Sequence, residues 1–294
     1  MKVAGFTFIK NAVQNDYTIV EAILSILPIC DEFIVAHGNS IDETLTLLQS
    51  INSDKIKIID TVWDDSLREG GRTFALETDK AFRAISADAD WCFYIQGDEC
   101  VHEKYLETIK NEMQLCLANP KIEGLLFKYK HFYGSYDFFA HSRRWYHREI
   151  RVVRNLPEIH SYKDAQGFRF EDRKINVKLI DAYIYHYGWV KPPSGLNVKI
   201  KNTGQFYTND DQWLETAYHK DFVFDYNNAE RLVRFTETHP ASFAKRVSES
   251  NWILPIDPTL IKKKLPVKTK FLNFLEDLTG IRFFSYKNYK IVAR

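Results

Sequence analysis

No stretch of the chain is apolar for anything like the roughly 18 consecutive residues that cross a bilayer, which excludes a transmembrane helix as read from the sequence. Cysteine is scarce: Cys30, Cys92, Cys100 and Cys116 form no CxxC pair, so reduced, structural thiols in a cytosolic protein are the expectation. Neither sign of charge is in excess, with 40 Lys and Arg against 39 Asp and Glu, so no global field argues for nucleic acid or an acidic polymer. No GxGxxG follows the first apolar segment, and no GKS or GKT occurs, so the dinucleotide fingerprint and the P-loop are both absent. Repeats and low-complexity segments are missing as well. No signal peptide is expected at the start, since Met1 to Phe6 lead directly into a strand-like segment that Lys10-Asn11 cuts short.

Aromatic residues, in contrast, are abundant at 15% of the 294 residues. Rings in such number serve an ordinary core, or they serve flat sugar faces and bases. The length is enough to bury a full core.

Short apolar runs alternate with helical periodicity over the first hundred residues. Strands are expected at Val3 to Ile9, Glu32 to His37, Lys55 to Asp60 and Trp91 to Ile95. Between them, helices are expected from Asp16 to Leu27, from a Ser40/Glu43 capping box through Ile51, and from Thr73 to Ile85. This β-α-β-α-β-α-β order implies a parallel sheet covered on both faces.

Further on, a helix is expected at His102 to Leu117 and a strand at Gly124 to Lys130. An aromatic stretch from His131 to His147 reads as a loop acting as a lid or acceptor platform, or as a packed structural loop. Strands follow at Arg148 to Arg154 and Val177 to Tyr187, with residues 155–174 irregular. After Pro192-Pro193 the composition turns helical, with candidates at Asp210 to Lys220, Ala229 to Thr238 and Pro240 to Ser250. The expected division is therefore a core at 1–192 and a mainly helical C-terminal extension at 193–294.

The chain's centre of gravity is Trp91-Cys-Phe-Tyr-Ile-Gln96-Gly97-Asp98-Glu99-Cys100, an apolar strand that ends in a glycine and two adjacent carboxylates. Open α/β sheets bind ligands at such strand ends. Taken alone, the two acids fit a ligand site or a solvated strand-to-helix turn equally well.

The succession Lys10-Asn11, then Gly38-Asn39-Ser40-Ile41-Asp42-Glu43-Thr44, then Arg72, then the Trp91-led strand ending in Gln96-Gly97-Asp98-Glu99 resembles the family 2 glycosyltransferases of the GT-A fold. The similarity is strongest to the bacterial branch acting in lipopolysaccharide and capsule assembly. It covers the first hundred residues and, more loosely, residues 148–200.

The resemblance implies a GT-A-like three-layer α/β/α core with a mostly parallel sheet. It implies an enzyme moving a sugar from a nucleotide-sugar to a glycan, lipid-linked glycan or other hydroxyl acceptor, assisted by Mn²⁺ or Mg²⁺ and inverting. Asp98 is then the metal ligand, with Glu99 as helper and His186 completing the site or touching the diphosphate. Donor contacts fall to Lys10, Asn11, His37, Asp42, Arg72, Gln96, Gly97 and Lys199. Gln96 stands where the family has an acid, and His37-Gly38 stand where nucleotide-contacting acids are common.

Direct displacement at the anomeric carbon also needs a carboxylate to take the acceptor's proton. The segment beginning Arg151-Val-Val-Arg154 is similar to the family's Arg-Leu-Phe-Arg, and places Asp164, with Glu158 behind it, as candidate bases. The alternative reading is a catalytically degenerate module that binds a sugar nucleotide, a glycan or a partner protein. A pyrophosphorylase is disfavoured, since Lys10-Asn11-Ala12-Val13 is no Gly-rich triphosphate loop. The expected location is cytoplasmic, with peripheral contact to the inner face of the membrane through the basic run Lys262-Lys263-Lys264 to Lys270.

Overall fold

A computed structural model describes residues 1–64, 66–67, 69–207, 229–252 and 265–293. Strands β1 (Val3–Ile9), β2 (Glu32–His37), β3 (Ile56–Asp60) and β4 (Trp91–Tyr94) pair in parallel in the order β3-β2-β1-β4. They are joined through α1 (Ile19–Ile26), α2 (Thr44–Gln49) and α3 (Arg72–Arg83).

Side chains alternate across this sheet with period two, so each strand feeds two cores. Val3 and Ile9, Phe33 and Val35, Trp91 and Phe93 pack on one side with α1, Leu48 of α2, and Ile109 and Met113 further along the chain. Ala4 and Phe6, Ile34 and Ala36, Cys92 and Tyr94 pack on the other, against Ala81 and Phe82 of α3. A strand buried on both faces reads as an unbroken apolar run.

The chain then forms β5 (Glu99–Val101), α4 (Leu106–Leu117), β6 (Gly124–Tyr133), β7 (Ser135–Ala140) and β8 (Arg148–Arg154). β8 inserts antiparallel between β4 and β6, extending the sheet. Trp91 is locked from both sides. Its indole N–H donates to the Met113 carbonyl at 3.1 Å, and the Arg154 guanidinium lies 4.5 Å from the ring centre.

Next come β9 (Ile159–Tyr162), β10 (Gly167–Phe170) and β11 (Arg173–Lys174), a small antiparallel sheet of their own. The long β12 (Asn176–Trp189) runs parallel to β6 and antiparallel to β5. The remaining described elements are α5 (Pro193–Gly204), β13 (Leu232–Arg234), α6 (Ala244–Ser248), α7 (Val267–Thr279) and β14 (Lys290–Ala293), which returns to pair with β12. The result is an α/β arrangement whose first half is the parallel sheet covered on both faces expected from the sequence.

Several local expectations are corrected. The aromatic stretch 131–147 is mostly a hairpin: β6 runs on to Tyr133, Gly134 turns at φ +72°, and β7 returns. Residues 155–174 hold the three short strands β9 to β11 rather than irregular chain. Within 229–238 there is a strand, β13, which pairs with β7, not a helix. The Ser40/Glu43 capping box does not form. Ser40 Oγ accepts from the Asn11 amide, and Asp42 accepts from the Thr44 amide at the start of α2. The helix expected at 210–220 and the lysines at 262–264 lie outside the described residues. Among the described residues no helix is long and apolar enough to cross a membrane.

Candidate functional site

A cavity of about 940 Å³ opens at the carboxyl ends of β1 and β4. Lys10 and Asn11 follow β1, Gln96 to Asp98 follow β4, His186 and Trp189 end β12, and Lys199, Ile200 and Asn202 to Gly204 of α5 line it as well. Cavities of this size and position suit a bound small molecule.

The polar centre is Asp98. Lys199 Nζ donates to Asp98 Oδ2 at 2.8 Å and to the Gly188 carbonyl at 2.9 Å, while His186 Nε2 stands 3.8 Å from the same carboxylate oxygen. Burial alone would raise the carboxyl's pKa, but the Lys199 cation outweighs that and holds it well below the usual range. Gly188 is what lets these groups converge. A Cβ there would lie 2.5 Å from Asp98 Oδ2 and 2.8 Å from both His186 Nε2 and Lys199 Nζ. Any side chain would occupy the polar centre.

A second histidine fixes which face of His186 is available. His131 Nε2 lies 2.7 Å from the Tyr146 carbonyl, which can only accept, so that nitrogen carries the proton. Burial, reinforced by the neighbouring imidazole, keeps the His131 pKa well below its ordinary value, so the ring is neutral and Nδ1 is an acceptor. His186 Nδ1, 3.2 Å away, must then donate to it. Burial also lowers the pKa of His186, which leaves a lone pair on Nε2 facing Asp98. A carboxylate oxygen opposite an imidazole lone pair, with an ammonium beside them, has the chemistry to meet a cation and an anion together.

Asp164 reaches the cavity from the turn between β9 and β10, between two non-glycine residues of positive φ, Lys163 at 57° and Ala165 at 60°. Its carboxylate accepts from Tyr207 Oη at 3.3 Å. Gln96 tethers that turn, donating to the Ala165 carbonyl at 3.3 Å. Left-handed backbone at two such residues marks a turn held by its surroundings, the kind of strain that clusters at functional sites.

Not all of the residues expected at the site are brought into it. Glu99 points the other way: its carboxylate is fully buried, receiving Arg151 Nη2 at 2.7 Å and Nε at 2.8 Å, and Tyr129 Oη at 2.8 Å. His37 is buried outside the cavity lining, its Nδ1 3.0 Å from Asp60. Asp42 is occupied by the amides of Gln14 and Thr44. Arg72 is exposed at the start of α3, Glu158 is exposed beside β9, and neither lines the cavity. Gly97 does not supply a left-handed turn. A Cβ there would lie 3.0 Å from Ile9 Cδ1, a tight contact with the end of that side chain. Asn11 lines the cavity while its Oδ1 accepts from the Ile41 amide at 2.9 Å, fixing the turn after β2.

No protein-family model and no curated protein matches the chain. Among solved structures it is similar to Staphylococcus aureus TarS 1–349 in complex with UDP, at 15% identity and a TM-score of 0.38 over 68% of this chain and 64% of that one. It is also similar to Mycobacterium tuberculosis glucosyl-3-phosphoglycerate synthase in complex with Mn²⁺, UDP and glucosyl-3-phosphoglycerate, at 19% identity and a TM-score of 0.31 over 45% of each chain. A third is the 4-diphosphocytidyl-2C-methyl-D-erythritol synthase of Anaerococcus prevotii, at 12% identity and a TM-score of 0.33 over 52% of this chain and 70% of that one. The chain thus spans less than two thirds of the length of the first two. Likeness at this level concerns the arrangement of strands and helices alone.

Sequence reasoning missed the cavity's walls. At one end Trp63 meets Phe74 and Phe206 edge to face and these two meet tilted, with Lys10 Nζ 5.4 Å from the centre of the Trp63 ring. Trp145 and Trp189 stand nearly perpendicular at the other, 5.8 Å apart. Trp145 lay within the aromatic stretch already singled out. Phe206 follows α5 by two residues and gave no local signal.

Proposed function

We propose that the chain is a glycosyltransferase that takes a sugar from a nucleotide-sugar donor and delivers it to a hydroxyl acceptor, by a single inverting displacement. The observation that carries this reading is the convergence of Asp98, His186 and Lys199 around Gly188 on the wall of the cavity. In this reading Lys199 binds a donor phosphate oxygen. Lys10 and Asn11, with the aromatic end at Trp63, receive the nucleotide, and Gln96 and Gly97 border the sugar.

A divalent cation fits the donor set. Asp98 offers a carboxylate and His186 the lone pair of Nε2, while no group of three His, Cys, Asp or Glu occurs among the described residues. Two protein ligands suit an Mn²⁺ or Mg²⁺ ion that takes its other ligands from phosphate and water. When bound, such an ion offsets the charge that grows on a departing diphosphate. Glu99, committed to Arg151, holds the wall behind Asp98 rather than the ion.

The acceptor hydroxyl gives its proton to Asp164 as its oxygen bonds to the anomeric carbon, and the bond from that carbon to the phosphate oxygen breaks. Glu158, exposed and outside the cavity, has no part in this. A core at 1–192 carries the donor half, and the extension contributes Lys199 and Phe206 to the same cavity, so the two act as one unit.

A binding module without turnover is the second reading, favoured by Gln96 in place of an acid and by the occupation of Asp98 by Lys199. Incubation with a panel of nucleotide-sugars and glycan acceptors, with and without Mn²⁺, tests both. The enzyme reading expects release of nucleoside diphosphate, lost in Asp164→Asn. Donor binding by calorimetry with no release across the panel contradicts it and supports the second reading.

A further inference from the structure

Helix α7 is built inside out. At about 100° per residue, Val267, Phe271, Phe274 and Leu278 fall within roughly a 60° arc. This stripe faces away from the protein: Phe271 is 58% exposed, Phe274 61% and Leu278 71%, and Phe284, just beyond the helix, is 90% exposed. On the side turned toward the body, Glu276 receives Arg143 Nη1 at 2.8 Å and Arg282 Nε at 2.7 Å, while the half-exposed Asp277 receives Arg231 at 3.3 Å. A helix docked by its ion pairs with its phenylalanines outward reverses the usual amphipathic placement.

The charge around the stripe identifies its occupant. Lys268 and Lys270 flank it on either side, both exposed and unpaired with any carboxylate among the described residues. The helix's own acids are spent on arginines of the body. Apolar rings with a lysine on each side match a lipid surface of negative charge, where the rings sit among acyl chains and the ammonium groups meet headgroups.

We propose that α7 docks the protein on an anionic lipid surface through Val267, Phe271, Phe274, Leu278 and Phe284, with Lys268 and Lys270 on headgroups. The same contacts join this surface to the cavity. Arg282, held by Glu276, donates to the carbonyls of Trp145 at 2.5 Å and Ser142 at 3.4 Å, so the segment that carries the Trp145 wall is fastened to the docking helix. The Trp145 end of the cavity is therefore tied to the element that meets the lipid. The docking claim itself stands whether or not the chain transfers a sugar.

Flotation of the full chain with phosphatidylcholine vesicles, with and without phosphatidylglycerol, is the test. The expected result is co-flotation with the phosphatidylglycerol vesicles, falling roughly tenfold or more in Phe271→Asp/Phe274→Asp and about fivefold for each of Lys268→Glu and Lys270→Glu. Because these side chains are exposed, the variants keep the wild-type thermal midpoint. Absence of flotation, or equal flotation of the Phe271→Asp/Phe274→Asp variant, overturns the proposal. So does a dimer in light scattering that the same variant dissolves while vesicles are ignored, since the stripe is then a contact between copies.

Discussion

His131 and His186 meet Nδ1 to Nδ1 at 3.2 Å, and the Tyr146 carbonyl behind His131 dictates the direction of that hydrogen bond. Each ring is thereby held as one tautomer: proton on Nε2 in His131, proton on Nδ1 in His186. Nitrogen-15 NMR of the histidine rings at neutral pH should show these two opposite tautomers. In His131→Phe the constraint on His186 is gone, and Mn²⁺ affinity, read by calorimetry, should fall about 10- to 100-fold, the usual cost of losing such a partner. A shared tautomer in both rings contradicts the assignment.

Glu99 and Arg151 form a closed, fully buried pair, and truncating either leaves the other charge stranded. Arg151→Met should cost about 3–5 kcal/mol of stability in denaturant unfolding. Glu99→Gln, which keeps the shape and some of the hydrogen bonds, should cost less and leave metal affinity unchanged. A Glu99→Gln variant that is stable but no longer binds Mn²⁺ would return Glu99 to the ion.

Glu149 sets a dependence of stability on pH. Burial pushes its carboxyl up to about 8, with Gln166 Nε2 at 3.3 Å from Oε1 and Oε2 buried without a hydrogen-bond partner. An exposed glutamate titrates near 4.3. Between those values the folded chain holds a proton that the unfolded chain has lost, so this contribution is full below about 4.3 and is lost as the pH rises through about 8. Chemical denaturation across that window should show wild type losing stability with rising pH relative to Glu149→Gln. Parallel curves for the two proteins would show that the carboxyl is not held protonated.

Gly188→Ala asks whether the cavity's polar centre is needed as built. The added methyl lies within 2.8 Å of Asp98, His186 and Lys199. Donor binding should fall by a factor of ten or more, roughly the loss of one charge-assisted hydrogen bond. Unfolding by heat should change much less than binding. Unaltered donor affinity would place the donor elsewhere in the cavity.

The parallel half of the sheet was legible because β1, β2 and β4 are apolar runs, β3 alternates Lys and Ile, and each helix keeps a 3.6-residue period. Asp98 was legible for the same reason, standing where such a strand ends. Its neighbour was not. Gly97-Asp98 is a turn closed by the Glu99 amide on the Gln96 carbonyl at 3.0 Å, so Asp98 lines the cavity while Glu99 starts β5 with its side chain in the interior, and only the distant Arg151 shows which acid is which. His131 was hidden inside a strand continued by aromatic residues that looked like loop. The turn holding Asp164 depends on left-handed backbone at Lys163 and Ala165, which neither residue type announces.

The most direct measurement is donor turnover by Asp98→Asn, with circular dichroism and a thermal midpoint confirming the fold. The account predicts release of nucleoside diphosphate by wild type and a fall of about 100-fold or more in the variant, the range for losing one electrostatic group from a transition state. Undiminished turnover by a folded Asp98→Asn protein would contradict it.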